Sequence, residues 1–340
     1  MTVSVGVGIV GAGYWGINLV RNFAQLPSAR LLACCDLDAD RFDRIRAAGG
    51  PVFCTTRLEE LLANSEVEGV IIATSAAHHA AVARQCLLAG KHVFVEKPLT
   101  LNAEDAKMLV HLAEERRRVL MVGHLMQYHP GTEMLKQLIE KGELGEIFYL
   151  YSQRLNLGIV RKDENALWSF APHDLSVILY LFGEEPLDVT ARGESYIQPG
   201  IEDVVFVNLR FKDRRMAQIQ LSWLDPHKVR RLTIVGSKKM VVFDDVESSE
   251  KIRIYDKGVD YAPSVVSYNE SLTLRSGDIL IPSLKMTEPL RLECQHFVEC
   301  IRDGKTPRSD GLAGLRVVKV LEAAQVSMQS NGRPIQLTDV

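Results

Sequence analysis

The sequence predicts a two-domain α/β protein: an N-terminal Rossmann domain with a doubly wound parallel sheet, then an α+β domain with a large open, mainly antiparallel sheet. The chain of 340 residues is about twice the commonest domain size. In its first part, short apolar runs alternate with helical patterns, which is typical of a parallel sheet covered on both faces. Longer runs of alternating hydrophobicity follow and favour antiparallel strands with one exposed face. We therefore expect two domains, residues 1–125 and 126–340.

In residues 1–125, short runs rich in β-branched residues predict strands at Val5–Val10, Leu31–Cys35, Val70–Thr74, His92–Glu96 and Val119–Val122. Amphipathic patterns between them predict helices at Tyr14–Gln25, Ala39–Ala47, Leu58–Ala63, Ala77–Ala89 and Ala103–Arg117. Capping signals support this order, since Thr56 and Glu59 have capping-box spacing. Asn102 and Asp105 have the same spacing. Gly90 suits the position just after a helix.

In residues 126–340, alternating segments predict strands at Ile147–Leu155, Val204–Phe211, Met216–Trp223 and Val229–Val235. The polar residues 212–215 join two of these strands and indicate a hairpin. Helices are predicted at Gly131–Glu140, Glu288–Arg302 and Gly311–Met328, the last one able to pack back on the first domain. Another helix is expected to begin near Pro172, with the proline in its first turn. Residues 245–285 show no clear pattern.

Composition excludes several classes of protein. Forty Lys and Arg against 43 Asp and Glu give a net charge of −3, which argues against general nucleic-acid binding. No apolar run approaches the roughly 20 residues that span a bilayer, and the N-terminus lacks the basic region of a signal peptide. The six cysteines form no CxxC pair and the nine histidines form no HExxH. We therefore expect a cytoplasmic protein with no disulfide framework and no metal.

A glycine-rich turn, Gly11–Gly16, follows the first strand and opens a helix with the pattern GxGxxG. Its glycines allow a tight bend, close approach of the backbone to a pyrophosphate, and close packing of helix on strand. The helix N-terminus offers unpaired N–H groups to that anion. Asp36 lies 20 residues after Gly16 (36 − 16), at the end of the second strand. A carboxylate there binds the adenosine ribose and repels a 2′-phosphate, so NAD is favoured over NADP.

Two basic residues leave NADP as the less favoured alternative. Arg41 and Arg44 follow Asp36 closely in the sequence. Their guanidinium groups could approach a 2′-phosphate if the loop between them and Asp36 bends back.

Several motifs together resemble the glucose–fructose oxidoreductase/inositol dehydrogenase/MocA (Gfo/Idh/MocA) family over nearly the whole chain. They are the glycine-rich turn, Asp36, Ala73-Thr74-Ser75 with His79, Glu96-Lys97-Pro98 and His173-Asp174. Ser75 departs from the proline usual in the family. The resemblance implies a Rossmann domain and an α/β domain whose open sheet often mediates oligomerisation, so we expect a homotetramer or a homodimer. It also implies a cis bond between Lys97 and Pro98.

The motifs and the resemblance define a candidate cofactor site for NAD. Its residues are Gly11, Gly13, Tyr14, Trp15, Gly16, Asp36, Arg41, Thr74, Ser75, His79, Glu96, Lys97 and Gln127.

Two residues are the candidate catalytic groups. Lys97 follows a parallel strand and so emerges at the carboxyl edge of the sheet, where such sheets bind ligands. Its ammonium group can bond a substrate hydroxyl and stabilise a developing alkoxide. His173 matches the family's catalytic histidine, and imidazole suits general-base chemistry near neutral pH. A lone histidine is more often a core or capping residue, so this assignment depends on the resemblance. Asp174 is expected to complement the helix dipole.

Residues 154–161 and 167–174 resemble members of the family that oxidise nucleotide sugars. The resemblance implies oxidation of the C3 hydroxyl to a ketone, which a sugar aminotransferase converts to a 3-amino sugar, as in amino-sugar and lipopolysaccharide biosynthesis. UDP-N-acetylglucosamine is the favoured substrate and UDP-N-acetylglucosaminuronate the next. The expected substrate-binding residues are Lys97, Tyr128, Arg154, Asn156, Arg161, Trp168 and His173. Two of these are arginines, which suit a pyrophosphate or carboxylate, although arginines on a strand are commonly solvated.

Three alternatives share the same fold. A polyol or free-sugar dehydrogenase would be expected to carry an acid where this chain has Ser169, four residues before His173. An NADP-dependent sugar 3-ketoreductase would run in the opposite direction. A non-enzymatic NAD sensor would have no need of both Lys97 and His173.

Overall fold

The computed structural model describes residues 4–339 except 159, 163 and 262–271. The chain divides into two compact units: Met1–Tyr128 with Thr287–Lys319, and His129–Met286 with Val320–Val340. The sequence-based division assigned all of 126–340 to one domain. Residues 287–319 instead belong to the first unit. The helix Pro289–Asp303, which lies within them, packs against that unit's first strand and first helix.

The first unit contains a parallel sheet. Within the described residues its six strands are β1 (Val5–Val10), β2 (Ala29–Cys35), β3 (Phe53–Thr55), β4 (Gly69–Ile72), β5 (His92–Glu96) and β6 (Leu120–Gly123). Their order is β3-β2-β1-β4-β5-β6, so the winding reverses between β1 and β4. Such a switch point is where doubly wound sheets bind dinucleotides. The predicted Rossmann sheet is confirmed, with β3 as an additional edge strand.

Helices α1 (Gly16–Ala24), α2 (Phe42–Gly49), α3 (Leu58–Ala63), α4 (His79–Leu88) and α5 (Ala103–Arg116) connect these strands. The predicted cap of α5 is confirmed, because Asn102 Oδ1 accepts a hydrogen bond from Asp105 N at 2.7 Å. The predicted Thr56 capping box is wrong. Thr55, one residue earlier, accepts from Arg57 N at 3.0 Å and donates to Glu60 at 2.6 Å.

The second unit begins with α6 (Pro130–Glu140), followed by β7 (Ile147–Leu155) and α7 (Ala166–Phe182). The expectation that a helix begins near Pro172 is wrong, since α7 starts six residues earlier. Asn165 caps it by accepting from Trp168 N at 3.1 Å, which satisfies a donor of the first turn. Pro172 therefore lies inside the helix.

The remaining strands of the second unit are β8 (Asp188–Glu194), β9 (Val204–Arg210), β10 (Met216–Ser222), β11 (Val229–Gly236), β12 (Met240–Asp244), β13 (Ile252–Tyr261), β14 (Leu272–Leu280) and β15 (Ile335–Gln336). The described residues form a nine-stranded sheet in the order β14-β13-β12-β11-β7-β10-β9-β8-β15. Only β7 and β10 pair in parallel there. The predicted hairpin around residues 212–215 is confirmed by the antiparallel pairing of β9 and β10.

Two further helices, α8 (Pro289–Asp303) and α9 (Gly311–Gln329), lie between β14 and β15 in the chain. In the first unit, α8 contributes Phe297 to a core that also contains Phe23 and Phe94. β1 lies at the centre of this core, since all six of its residues are buried.

All six cysteines are free thiols, and all belong to the first unit. Five of them are buried and Cys54 is half-buried. Burial raises the pKa of Cys35 and Cys300 to about 11, and that of Cys86 to about 12. The thiols therefore stay protonated near neutral pH, which makes them unreactive in the folded unit.

The described residues lack two kinds of feature. None of the helices there is both long enough and apolar enough to cross a membrane. In the same part of the chain, no group of three or more His, Cys, Asp or Glu side chains could hold a metal ion.

Candidate active site

The glycine-rich turn has the shape that a dinucleotide requires. Gly11 has a φ of 89°, and a Cβ there would lie 2.7 Å from Ala73 O. A Cβ on Gly16 would lie 2.1 Å from Gly11 O, so both positions exclude any larger residue. At Gly13 a Cβ would approach one described atom within 4 Å, Arg41 Nη1 at 3.6 Å. The turn is thus closed towards the protein and open at Gly13, as approach of a pyrophosphate requires.

Asp36 is held in a fixed orientation at the end of β2. It is buried, and its Oδ2 accepts from Ala12 N at 2.7 Å while Oδ1 accepts from Asp38 N at 3.0 Å. Arg41 pairs with the same carboxylate at 3.2 Å and with Asp38 at 3.1 Å. These contacts link the carboxylate to the glycine-rich turn and place a cation beside it. The residues present therefore fit a dinucleotide whose adenosine ribose meets Asp36.

The segment after β4 carries three of the predicted cofactor residues. Thr74 Oγ1 donates to Ser75 O at 3.3 Å, and Ser75 Oγ contacts His78 Nδ1 at 2.9 Å. His79 is buried instead: its Nδ1 donates to Pro98 O at 2.7 Å. The desolvation of its ring lowers the pKa of His79, so the ring stays neutral. His79 therefore ties this segment to the one that follows β5.

The end of β5 carries Glu96, Lys97 and Pro98. The bond between Lys97 and Pro98 is cis, as the resemblance implied. The Lys97 side chain is half-buried. Trp15 and Tyr14 of the glycine-rich turn are 38% and 89% exposed, and Trp15 Nε1 donates to Glu96 Oε1 at 2.6 Å. The turn and the strand that precedes Lys97 are therefore joined by a direct hydrogen bond.

Gln127 and Tyr128 lie deeper than the sequence suggested. Both are buried, and Gln127 O accepts from Arg308 Nη1 at 2.7 Å. The Tyr128 hydroxyl hydrogen-bonds Ser309 Oγ at 3.0 Å, and its ring lies 5.5 Å from that of His296. Within the first unit, these contacts join the end of the sheet to the segment between α8 and α9.

In the second unit, His173 lies half-buried on α7. Its carbonyl oxygen accepts from Ser176 Oγ at 2.9 Å. Asp174 follows it in the middle of the helix, so the interpretation that it complements the helix N-terminus is wrong. The Asp174 carboxylate instead accepts from Arg154 Nε and from Ser152 Oγ of β7, each at 2.5 Å. This ion pair fixes α7, and with it His173, to the sheet of the second unit.

Among the predicted substrate residues, Arg154 is buried and its side chain is held in an ion pair. It is only 8% exposed, and the ion pair with Asp174 uses its charge, so it is not an open guanidinium fork. Arg161 is more accessible and pairs with Glu164 at 3.0 Å. Trp168 Nε1 donates to Gln325 at 3.2 Å, and Asn156 N donates to Ser222 O at 3.0 Å.

Sequence reasoning missed Gly123, His124 and Glu293 as neighbours of the site. His124 follows β6, and the described residues offer no hydrogen-bond partner to either ring nitrogen. Burial, followed by the charge of Lys97, lowers the pKa of His124 to about 3. Glu293 had a detectable signal, because it lies on the apolar face of α8, four residues before Phe297 and three after Leu290.

Most of the chain is similar to known proteins. Residues 5–124 match the model of an oxidoreductase family with an NAD-binding Rossmann fold, and residues 132–242 match the Gfo/Idh/MocA C-terminal domain. A UDP-N-acetylglucosamine 3-dehydrogenase from Acidithiobacillus ferrooxidans is 27% identical over 326 residues, which are 95% of this chain and 97% of the relative.

A solved structure of UDP-N-acetylglucosamine 3-dehydrogenase from Acidithiobacillus ferrooxidans has a TM-score of 0.80 and 26% identity, covering 96% of this chain and 98% of the other. The scyllo-inositol 2-dehydrogenase (NAD(+)) of Bacillus subtilis is 24% identical over 344 residues, 97% of this chain and 95% of that protein. This chain therefore belongs to the Gfo/Idh/MocA family and is an oxidoreductase that acts on hydroxyl groups.

Proposed function

We propose that this chain oxidises the C3 hydroxyl group of a UDP-linked sugar to a ketone, with NAD as the oxidant. UDP-N-acetylglucosamine is the favoured substrate and UDP-N-acetylglucosaminuronate the next. The main support is the likeness to a UDP-N-acetylglucosamine 3-dehydrogenase over nearly the full length of both chains. The product would be consumed by a sugar aminotransferase, because a ketone at C3 is what transamination to a 3-amino sugar requires.

One buried position argues against a polyol or free-sugar substrate. Ser169 lies on α7 one turn before His173 and is buried. Inositol-dehydrogenase-type members commonly carry an aspartate at this place. A serine hydroxyl there has no negative charge with which to hold or deprotonate a polyol, so proton handling falls to Lys97 and His173.

In the proposed reaction, the first unit binds the cofactor and the second supplies the base. The glycine-rich turn holds the pyrophosphate and Asp36 the adenosine ribose. NAD, when bound, supplies the chemistry of hydride acceptance. His173 accepts the proton of the C3 hydroxyl, and the Lys97 ammonium group stabilises the negative charge that develops on that oxygen. The Arg154–Asp174 ion pair keeps the helix of His173 in place.

The choice of NAD over NADP depends on Asp36 and Arg41. Replacing Asp36 by alanine is expected to weaken NAD binding about 10- to 100-fold, because charged hydrogen bonds to the ribose are lost, and to weaken NADP binding less. Arg41→Ala is expected to act in the opposite sense: it removes the cation beside Asp36 and so weakens NADP more than NAD. Calorimetric titration with each dinucleotide measures both effects.

Arg116→Ala serves as the matched control, since Arg116 is exposed at the C-terminal end of α5, where the chain enters β6, and should leave both affinities unchanged. An Asp36→Ala protein that binds NAD as tightly as the unaltered protein would contradict the role of Asp36.

The substrate proposal is tested by incubating the purified protein with NAD and a panel of UDP-sugars, inositols and free sugars while NADH absorbance is followed. NADH formation with UDP-N-acetylglucosamine or its uronate, but with neither inositol nor free sugar, is the expected result. A sugar aminotransferase with its amino donor is included, because removal of the ketone drives an unfavourable oxidation forward. Preference for inositols would favour a polyol dehydrogenase, and preference for NADPH with a 3-keto sugar would favour a ketoreductase.

A further inference from the structure

Two glutamate side chains, Glu96 and Glu293, are buried inside the first unit. Glu96 ends β5 and Glu293 lies on α8, with exposed fractions of 8% and 0%. Phe94 and Phe297 join these two elements, with ring centroids 5.6 Å apart. Alternate residues of a strand share a face, as do helix residues four apart, so each glutamate lies beside one ring of this pair. The two acids therefore occupy the same apolar interior.

The two carboxyl groups have different surroundings. Glu96 Oε1 accepts from Trp15 Nε1 at 2.6 Å, and Oε2 accepts from the backbone N of Lys97 at 3.3 Å. Gly123 leaves room for this group, since a Cβ there would lie 2.9 Å from Glu96 Oε2. Across the described ranges, neither carboxyl oxygen of Glu293 has a hydrogen-bond partner. Glu96 is thus equipped to carry a negative charge, whereas Glu293 is not.

Burial favours the neutral form of both acids. It raises the pKa of Glu96 to about 7, against the opposing effects of the Trp15 hydrogen bond and the charge of Lys97. Burial, and then the charge of Glu96, raises the pKa of Glu293 well above its usual range. Near neutral pH, therefore, Glu96 changes its charge while Glu293 stays protonated.

Other titratable groups face this interior from the neighbouring elements. His124, after β6, is neutral because burial lowers its pKa to about 3. Burial also raises the pKa of Tyr128 and of Cys294 on α8, so both keep their protons. The cations are Lys97, next to the carboxyl group that ends β5, and Arg308, which covers the Tyr128 ring at 5.2 Å. His79 on α4 and His296 on α8 also face it, and burial lowers the pKa of both, so both are uncharged near neutral pH. Among these described groups, the one that titrates near neutral pH is therefore the carboxyl group at the end of β5.

We propose that Glu96 is a positioning residue whose ionised carboxylate holds Trp15, and with it the glycine-rich turn, against the end of β5. Glu293 is a buried neighbour that stays protonated, so of the two acids only Glu96 carries a negative charge. A hydrogen bond to a charged acceptor is about twice as strong as one to a neutral acceptor, so protonation of Glu96 loosens the hold on Trp15. Because the turn cradles the pyrophosphate, the affinity for NAD falls as Glu96 takes up its proton. This role does not depend on which sugar is oxidised.

The emission of Trp15 tests the proposal without cofactor or substrate. It is measured as the difference between the unaltered protein and Trp15→Phe, and is expected to titrate between about pH 5.5 and pH 8.5 with a midpoint of about 7. Glu96→Gln is expected to abolish the midpoint, because an amide does not titrate. Glu293→Gln is expected to keep the midpoint within about half a pH unit, because this group is already uncharged.

The matched control is Glu66→Gln, which removes an exposed carboxylate of the same unit and is expected to leave the curve unchanged. A flat Trp15 signal in the unaltered protein, or an equal titration in Glu96→Gln, overturns the proposal. A midpoint that moves by more than about one pH unit in Glu293→Gln overturns the neutral role of Glu293.

Calorimetric titration with NAD tests the consequence for the cofactor. The dissociation constant of the unaltered protein is expected to be about five- to tenfold larger near pH 6 than near pH 8, and that of Glu96→Gln to be independent of pH. Equal pH dependence in the two proteins overturns the proposed link from Glu96 to the turn. Because neither readout uses turnover, a failed sugar assay would leave this proposal intact, and its own failure would leave the proposed function untouched.

Discussion

Replacing His173 by asparagine is expected to lower kcat about 10²- to 10⁴-fold, because asparagine keeps a polar side chain but cannot accept the hydroxyl proton. Binding of NAD, measured calorimetrically, should change by less than about twofold, since His173 is not among the predicted cofactor-binding residues. Lys97→Met should lower kcat by about 10²- to 10³-fold through loss of charge stabilisation on the oxygen. The measurement is turnover at saturating sugar nucleotide and NAD.

His227→Asn is the matched control for the histidine. His227 is exposed in the second unit, and the only hydrogen bond described for it is from its backbone N to Asp225 at 3.0 Å, so its imidazole should not affect turnover. If His173→Asn and Lys97→Met both kept a nearly unaltered kcat, the proposed roles of these two residues in proton transfer and charge stabilisation would be rejected. A loss in Lys97→Met alone would leave the charge-stabilising role of Lys97 and reject the general base.

Removing the Asp174 carboxylate is expected to destabilise the protein by about 3–5 kcal/mol, because Arg154 would remain buried without its counter-charge. The pair links α7 to β7 and is nearly closed to solvent, with the Arg154 and Asp174 side chains 10% and 6% exposed. The free energy of unfolding of Asp174→Ala, measured by urea denaturation, tests this. The double variant Arg154→Met with Asp174→Leu should recover most of the loss, since it removes both charges from the interior.

The Lys136–Glu140 pair of the same unit provides the control. Glu140 is 62% exposed and lies 3.7 Å from Lys136 Nζ, so Glu140→Ala should cost less than about 1 kcal/mol. Equal losses for the buried and the exposed pair would contradict the stabilising role of the Asp174 contact. A stable double variant with an unchanged KM for the sugar nucleotide would reject the prediction that Arg154 binds substrate.

The sequence predicted the first unit better than the second, and the reasons are physical. Short, continuous apolar runs such as β1 and β5 are buried on both faces, so their composition alone identifies them. The strand β3 has only three residues, too few for any periodicity, and it was missed. The segment 245–285 had no clear pattern in part because seven of the eight residues 273–280 in β14 are exposed. Antiparallel strands with exposed faces can be identified only where alternation is regular.

The candidate site shows a similar division. The glycine-rich turn and Asp36 could be predicted because backbone geometry and residue spacing leave few alternatives. Arg154 was interpreted as an open cation because a strand pattern does not show which of its charges meet a partner on a distant helix. Glu293 was missed, although it lies on the apolar face of α8, because the sequence does not show which strand that face meets. Such long-range contacts become visible only in three dimensions.

The placement of the cysteines and tryptophans allows the unfolding of each unit to be measured separately. All six thiols lie in the first unit, whereas Trp168 and Trp223 lie in the second. Thiols with raised pKa values deep in a core react with disulfide reagents only when their surroundings open. The rate at which the five buried thiols are labelled therefore reports opening of the Rossmann unit alone. In Trp15→Phe the remaining tryptophans, Trp168 and Trp223, both belong to the other unit, so their emission reports that unit and one sample can tell whether both units open in the same event.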